Sequence, residues 1–116
     1  VYYGNYASFF EVGRVEALRA LGMSYKSLEE AGVMMPVLDL HCQYLAPARY
    51  DELLTLQTII RELPSVKIKF EYQLFNESKK LIHTGATTLV FLRKDTMRPC
   101  RCPMPLIEVL KPYFHE

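Results

Sequence analysis

The sequence has few cysteines, no excess of charge of either sign and no long apolar run, and each of these shortages excludes a class of protein. Three cysteines, an odd number spread unevenly, argue against a disulfide framework and favour a reducing compartment, so we expect a cytoplasmic protein. Fourteen basic and thirteen acidic residues leave a net charge of +1, which disfavours a nucleic-acid partner. No apolar run approaches the roughly 20 residues of a membrane span, so we expect no membrane insertion.

The motifs of metal sites and serine hydrolases are missing too. His41, His83 and His115 show no metal-ligand spacing, and neither HExxH nor CxxC occurs, so we expect no bound metal. No Gly-x-Ser-x-Gly stretch supports a serine nucleophile. Cys42 alternates with apolar residues and is predicted to be an inert, buried thiol.

What the sequence does have is apolar content sufficient for one core. Half of its 116 residues are hydrophobic, and a chain of this size buries a core without a metal or a disulfide. At roughly 100–200 residues per domain, the length leaves no room for a second unit. We therefore expect residues 1–116 to form a single domain.

A long helix is predicted over residues 5–21. Asn5 is a favoured N-cap, and Gly22 stands where a glycine commonly ends a helix. The apolar residues cover most of the helix circumference, which is typical of a helix that other elements surround. Gly13 and Ala17, four residues apart, would let a sheet approach the helix backbone closely.

Two shorter helices are predicted elsewhere. Residues 27–30 have the pattern of a capping box, and Gly32 would end the helix that follows from it. After a stretch with three prolines, residues 106–113 form the last predicted helix.

Beyond residue 33 the hydrophobic period changes from 3.6 to 2, which predicts strands. Four are expected, over residues 37–45, 53–62, 66–76 and 81–93. The third is the most regular, and its inward side chains are Val66, Ile68, Phe70, Tyr72 and Leu74. Short joins predict antiparallel hairpins among the last three strands. Because no helix separates the strands, the predicted fold class is α+β, an antiparallel β-sheet wrapped around a central α-helix.

Four blocks of the sequence carry a family resemblance: VYYGNY at residues 1–6, FFE at 9–11, RVEALR at 14–19 and YLAPAR at 44–49. They resemble the opening helix and second strand of hotdog-fold acyl-CoA thioesterases. The most similar group is the 4-hydroxybenzoyl-CoA thioesterase family, including bacterial acyl-CoA thioesterases associated with the Tol–Pal system. The resemblance implies a hotdog fold and an enzyme that hydrolyses acyl-CoA to a free carboxylic acid and CoA. It implies no cofactor, since CoA is part of the substrate, and a homodimer or homotetramer with active sites at the seam.

The resemblance also assigns roles near the start of the first helix. The backbone N–H of Tyr3 would polarise the thioester carbonyl, and Gly4, Asn5 and Tyr6 would border the substrate. Several relatives carry His where this chain has Tyr3, so a side-chain acid or base is lost there while the backbone donor remains. The catalytic Asp of the family, a nucleophile or a general base, lies in a D-x-x-G stretch, which we expect upstream of Val1 together with the first strand. On residue chemistry alone, Asn5 is a cap and the tyrosines are core aromatics.

Glu11 is a second candidate carboxylate. It stands among apolar residues of a helix predicted to be mostly buried, where desolvation raises a carboxyl pKa, and another hotdog lineage uses a helical Glu. It is therefore a fallback base. The alternative is an ion pair of Glu11 with Arg14 or Arg49.

The sequence leaves open the role of the remaining basic residues and an alternative to the thioesterase function. Arg93, Lys94, Arg98 and Arg101 form a cluster that could hold the CoA phosphates. Because the hotdog fold serves several functions, a non-catalytic acyl-binding or interaction module is the alternative to a thioesterase.

Overall fold

A computed structural model describes residues 4–47 and 51–114 of the chain. The elements in chain order are α1 (Gly4–Ala20), α2 (Tyr25–Glu30), β1 (Val33–Met34), β2 (Val37–Tyr44), β3 (Thr55–Ile59), β4 (Lys67–Phe75), β5 (Leu81–Val90), β6 (Leu92–Arg93), α3 (Met104–Leu110) and a final 3₁₀ turn (Lys111–Tyr113). Among these described helices, none combines the length and the apolar character needed to cross a membrane.

Four strands form an antiparallel sheet in the order β2-β5-β4-β3. The pairs β3–β4 and β4–β5 are the hairpins that the short joins predicted. Within β4, Ile68, Phe70, Tyr72 and Leu74 are buried as predicted from their alternation. Val66 does not follow them, because it precedes the strand and is exposed.

The register fixes which residues of β5 share this inner face. Tyr72 lies opposite Gly85, and Leu74 lies opposite His83. Directly opposite residues of an antiparallel pair point to the same side of a sheet. The inner face of β5 therefore consists of His83, Gly85, Thr87 and Leu89.

Helix α1 packs on this face at very short range. A Cβ built on Gly13 would lie 2.5 Å from Thr58 Oγ1 and 2.8 Å from Leu56 Cδ2, both on β3. A Cβ on Gly85 would lie 2.5 Å from Cζ of Phe10. Both glycines are therefore required by the close approach of helix and sheet, as predicted for Gly13.

Burial of α1 is less complete than its composition suggested. Phe10 and Leu18 are fully buried, but Val12 is 57% exposed and Phe9 is 36% exposed. The prediction of a helix surrounded on all sides is wrong for the described chain, because the single sheet layer covers only one side of the helix.

The helix ends also differ from the sequence prediction. Helix α1 begins at Gly4, so Asn5 lies inside its first turn and is not the N-cap. Helix α2 begins at Tyr25, and its capping box joins Ser24 to Ser27 rather than spanning residues 27–30. At the third helical position, Ser27 takes the place of the Glu or Gln that a capping box usually has.

The last helix starts earlier than predicted, and the structure contains one strand pair that the sequence did not predict. Helix α3 starts at Met104, two residues before the predicted start, and its final turn is 3₁₀. The two-residue strand β1 pairs with β6 and was not predicted. Two residues are too few to show a period of 2.

Strand β2 is one of the two edge strands of the four-stranded sheet, and all eight of its residues are exposed. Cys42 is therefore not the buried thiol that its alternation predicted. Alternation showed correctly that Leu40, Cys42 and Tyr44 share a face, since they lie opposite Thr87, Gly85 and His83. The strand remains exposed because nothing in the described chain covers that part of the inner face.

The fit of Phe10 over Gly85 leads to a stability prediction. We expect Gly85→Ala to lower the free energy of unfolding by about 1–3 kcal/mol, because the new methyl group overlaps a buried, immobile ring. Urea denaturation at fixed protein concentration measures the change. Thr84→Val, the neighbouring position on the opposite face, is the control with little expected effect. Equal stability of Gly85→Ala and wild type would contradict the packing described above.

Candidate active site

The N-terminal half of α1 lies toward the edge strand β2. Phe10 reaches over Gly85 of β5, whereas Gly13 abuts β3 on the far side of the sheet. Strand β2 is the next strand beyond β5. The first turn of a helix presents backbone N–H groups without intrahelical partners, and the helix dipole favours negative charge there. This part of α1 therefore offers hydrogen-bond donors on the side of the sheet that ends at β2.

A row of rings connects the core under α1 with the β2 edge. The Phe10 ring stacks on Tyr72 with centroids 4.2 Å apart and an interplanar angle of 10°. The Phe10 ring also lies near the His83 ring, with centroids 5.6 Å apart, and Tyr44 meets His83 edge-on with centroids 4.5 Å apart. Tyr72, Phe10 and His83 are fully buried, and Tyr44 is exposed. An apolar, aromatic wall thus lies beside the N-terminal half of α1.

A buried arginine holds this wall in place. Arg14 is only 8% exposed; its Nε donates to the Tyr25 hydroxyl and its Nη1 to the Tyr72 hydroxyl, each at 3.1 Å. The Tyr72 hydroxyl also lies 2.6 Å from Thr87 Oγ1. Burial raises the pKa of Tyr72, outweighing the hydrogen bonds to Thr87 and Arg14, which act in the opposite direction. The phenol is therefore neutral, and Arg14 fastens α1 to both the sheet and α2.

This arrangement corrects one sequence expectation. Arg14 pairs with two tyrosines and not with Glu11. Glu11 is exposed, and within residues 4–47 and 51–114 it forms no ion pair. The premise that Glu11 is mostly buried is therefore not met in the described chain. Sequence reasoning missed the Arg14 network because its two partners lie 11 and 58 positions further along the chain, beyond the reach of a helical pattern.

The structure describes only part of the predicted site. Tyr3 and Arg49 lie outside the described residues, as does the expected Asp upstream of Val1. Gly4, Asn5 and Tyr6 form the first turn of α1, at the end of the helix that lies toward β2. Their contact with the substrate stays a prediction.

The basic cluster lies elsewhere. Arg93 is in β6, and its Nε lies 3.4 Å from an Asp95 carboxylate oxygen in an exposed pair. Arg93 follows the C-terminal end of β5, whereas His83 lies near the N-terminal end of that strand. Glu29 and Glu30 line the same surface depression as Arg93 and Arg101, which weakens its positive potential. The structure does not bring this cluster to the α1 N-terminus of its own chain.

The sequence matches the family described as the Thioesterase superfamily over residues 1–83. The acyl-CoA thioesterase YbgC of Haemophilus influenzae is 34% identical over all of this chain and 82% of that protein. The putative acyl-CoA thioesterase YneP of Bacillus subtilis is 29% identical over 85% of this chain and 72% of that protein. Among solved structures, a DHNA-CoA thioesterase from Staphylococcus aureus gives a TM-score of 0.80 at 34% identity, covering 98% of this chain and 71% of that one.

The fold and these similarities define a thioester-hydrolase class of protein. The chain belongs to the Thioesterase superfamily. The resemblance derived from the blocks at residues 1–19 and 44–49 is confirmed, together with the α+β hotdog fold and the expectation of a thioesterase enzyme.

The buried His83 leads to a prediction about pH. Burial lowers the pKa of its imidazole from the ordinary value of 6.5, so the unfolded chain takes up this proton at a higher pH than the folded one. The contribution of neutral His83 to the free energy of unfolding is therefore fully present above pH 6.5. It is lost as the pH drops toward the folded pKa, by at most about 1.4 kcal/mol per pH unit. Denaturation of wild type and His83→Gln across pH 5–8 tests this, and the variant should lack this part of the loss.

The exposed His41 supplies the matched control in the same sheet. His41→Gln removes an imidazole whose side chain is 78% exposed and leaves the buried His83 in place. Parallel stability curves for wild type and His83→Gln would contradict the prediction.

Proposed function

We propose that the protein hydrolyses acyl-CoA thioesters to a free carboxylic acid and CoA. The observation that carries the proposal is the superfamily match over residues 1–83, which includes the whole of α1. Relatives named acyl-CoA thioesterases match over most of their own length, which supports acyl-CoA as the substrate. The reaction consumes water and needs no cofactor, because CoA enters and leaves as part of the substrate.

In the proposed mechanism, the start of α1 stabilises the charge that develops on the carbonyl oxygen. The backbone N–H of Tyr3 donates to this oxygen, and Gly4 lets the thioester approach the backbone. The catalytic carboxylate is the Asp proposed upstream of Val1; it accepts a proton as the water oxygen bonds to the carbonyl carbon. The carbon–sulfur bond then breaks, and the proton passes to the CoA sulfur. Asn5 and Tyr6 border the bound acyl group.

We further propose that two copies of the chain pair through β2. Among the described residues, this edge strand has a strand partner on one side only, β5, and its apolar residues Leu38, Leu40 and Tyr44 are each about half exposed. Pairing β2 with β2 of a second copy extends the sheet and covers these residues. Since α1 begins on this side of the sheet, the active site would lie at the seam. The assembly is a dimer or a tetramer of two such dimers.

Two further expectations belong with this proposal. The three cysteines are free thiols in the structure, which supports a reducing, cytoplasmic compartment. The alternative function is a non-catalytic acyl-binding module, and one measurement distinguishes it from a thioesterase. Binding of acyl-CoA without release of CoA by the full-length protein would favour the module.

The oxyanion assignment is tested at position 3. We expect Tyr3→Pro to lower kcat by about 10²–10³, because proline removes the backbone donor, while proline in a first helical turn is compatible with folding. Tyr3→Phe keeps the N–H and should retain near wild-type kcat. CoA release by the full-length protein is the measurement, with circular dichroism as the check on folding.

The same assay separates the two candidate carboxylates. Glu11→Gln should leave kcat within about tenfold of wild type, and the upstream Asp→Ala change should lower it severely. Hydrolysis by the chain from Val1 alone, abolished by Glu11→Gln, would contradict the upstream assignment.

The dimer is tested on the inner face of β2. We expect Leu40→Lys to shift the protein to a monomer at micromolar concentration and to lower hydrolysis in parallel, because it places a charge in the proposed seam. Light scattering gives the mass. Met104→Lys, at an exposed apolar position of α3, should leave the mass unchanged. A monomeric wild-type protein with full activity would contradict the shared site.

A further inference from the structure

Arg14 is a buried cation whose partners carry no opposite charge. Among the described residues, its side chain bonds to two neutral hydroxyls, those of Tyr25 and Tyr72, and to no carboxylate. Burial acts to lower the pKa of Arg14, but the two hydrogen bonds raise it above its ordinary value, so the guanidinium keeps its charge. Taking a charge out of water is costly, and buried charged groups replaced by apolar ones are often no less stable. Stability alone therefore does not explain an arginine at this position.

The partner on the sheet, Tyr72, receives two residues of α1 that are one helical turn apart. The Phe10 ring stacks on the Tyr72 ring with centroids 4.2 Å apart, and Arg14 donates to the Tyr72 hydroxyl at 3.1 Å. The hydroxyl also lies 2.6 Å from Thr87 Oγ1, so α1, β4 and β5 meet at this side chain. Moving the helix by one residue would rotate both contacts away by about 100°. The two contacts together fix the rotation and the axial position of α1.

The second hydrogen bond of Arg14 restrains the helix from another side. Its Nε donates to Tyr25 of α2, while its Nη1 donates to Tyr72 of β4. Because a guanidinium is planar and rigid, two bonds from different nitrogens hold it in one orientation. The close approach of Gly13 to β3, by contrast, sets only the distance between helix and sheet. Arg14 therefore supplies a direction that apolar packing lacks.

The orientation of α1 matters for the reaction, and this step rests on the proposed function. The proposed oxyanion donor is a backbone N–H at the start of α1, roughly 15 Å along the helix axis from Arg14. A helix moves as a rigid rod over this length, so a small rotation at Arg14 displaces the donor. A displacement of about 1 Å caused by a mutation far from the reacting atoms can lower a rate about 10²-fold.

We propose that Arg14 is a positioning residue for thioester hydrolysis, and that Tyr72 is the fixed acceptor through which it acts. Arg14 orients α1 so that the N–H groups at the start of the helix point at the carbonyl oxygen. It does not touch the substrate. Because the oxyanion bond strengthens in the transition state, losing the orientation should lower kcat and leave KM nearly unchanged.

The test replaces Arg14 with an apolar residue of similar length in the full-length protein. Arg14→Met should lower kcat at least tenfold and leave KM within about threefold, measured with hexanoyl-CoA or benzoyl-CoA, whichever turns over faster. Tyr72→Phe keeps the ring under Phe10, removes only the hydroxyl and should show a similar loss of kcat. Arg14→Lys keeps the charge but not the planar fork, and it should restore kcat only in part.

Leu18→Ala is the matched control. Leu18 is fully buried on the same helix, one turn beyond Arg14, so its truncation should lower the urea midpoint more than Arg14→Met does. At a temperature where circular dichroism shows both variants folded, Leu18→Ala should keep kcat within about threefold of wild type. A purely structural role of Arg14 would make the loss of kcat follow the loss of stability, and that result would overturn the proposal.

A double variant tests whether Arg14 acts through Tyr72. Since both substitutions remove the same hydrogen bond, Arg14→Met combined with Tyr72→Phe should lower kcat no further than the more severe single change. Two losses that multiply would overturn the proposed coupling, as would a kcat of Arg14→Met within threefold of wild type.

Hydrogen exchange separates this proposal from the proposed function, because it reports on the helix without any substrate. The backbone amides of residues 8–12 should exchange at least tenfold faster in Arg14→Met than in wild type, while those of β4 and β5 stay protected. If the full-length protein hydrolyses no acyl-CoA but shows this change, the role of Arg14 in holding α1 stands and the hydrolase proposal fails. If hydrolysis occurs and Arg14→Met changes neither kcat nor exchange, the positioning role fails and the hydrolase proposal stands.

Discussion

The structure depends on how closely α1 approaches the sheet. Two glycines allow this approach, Gly13 on the helix and Gly85 on the central strand, and a Cβ at either position would collide with a side chain of the other element. Once the distance is set, Arg14 can reach across to Tyr72 and α2 can be held through Tyr25. The position of the α1 N-terminus relative to β2, and with it the proposed oxyanion donor, follows from the same contact.

Sequence reasoning predicted the features that local patterns encode. The period of 2 in β4 gave the inward residues from Ile68 to Leu74 correctly, and short joins gave the two hairpins. The family resemblance gave the fold and the class of reaction, because the N-terminal blocks are specific. Gly13 was read correctly from the helix sequence alone as a point of close approach.

What sequence reasoning missed depends on contacts between distant parts of the chain. The burial of Cys42 was predicted from alternation, but alternation shows only which face a residue occupies, and whether that face is covered depends on strand order. Sequence reasoning left open an ion pair of Glu11 with Arg49 or with Arg14, which is three residues further on. Tyr72, which is remote in sequence, takes that arginine instead. The N-cap of α2 is Ser24 and not Ser27, because Ser27 occupies the third helical position, where a capping box usually has an acidic residue.

The strand order also imposes an order on folding. Strands β3, β4 and β5 join through two short hairpins, whose contacts form between near neighbours in sequence. Strand β2 precedes them in the chain, yet its only partner in the described sheet is β5, the last of the four strands to be synthesised. Contacts that close a long loop form more slowly than local ones. During synthesis, β2 and its apolar residues therefore remain without their partner strand in this sheet until the β4–β5 hairpin has formed.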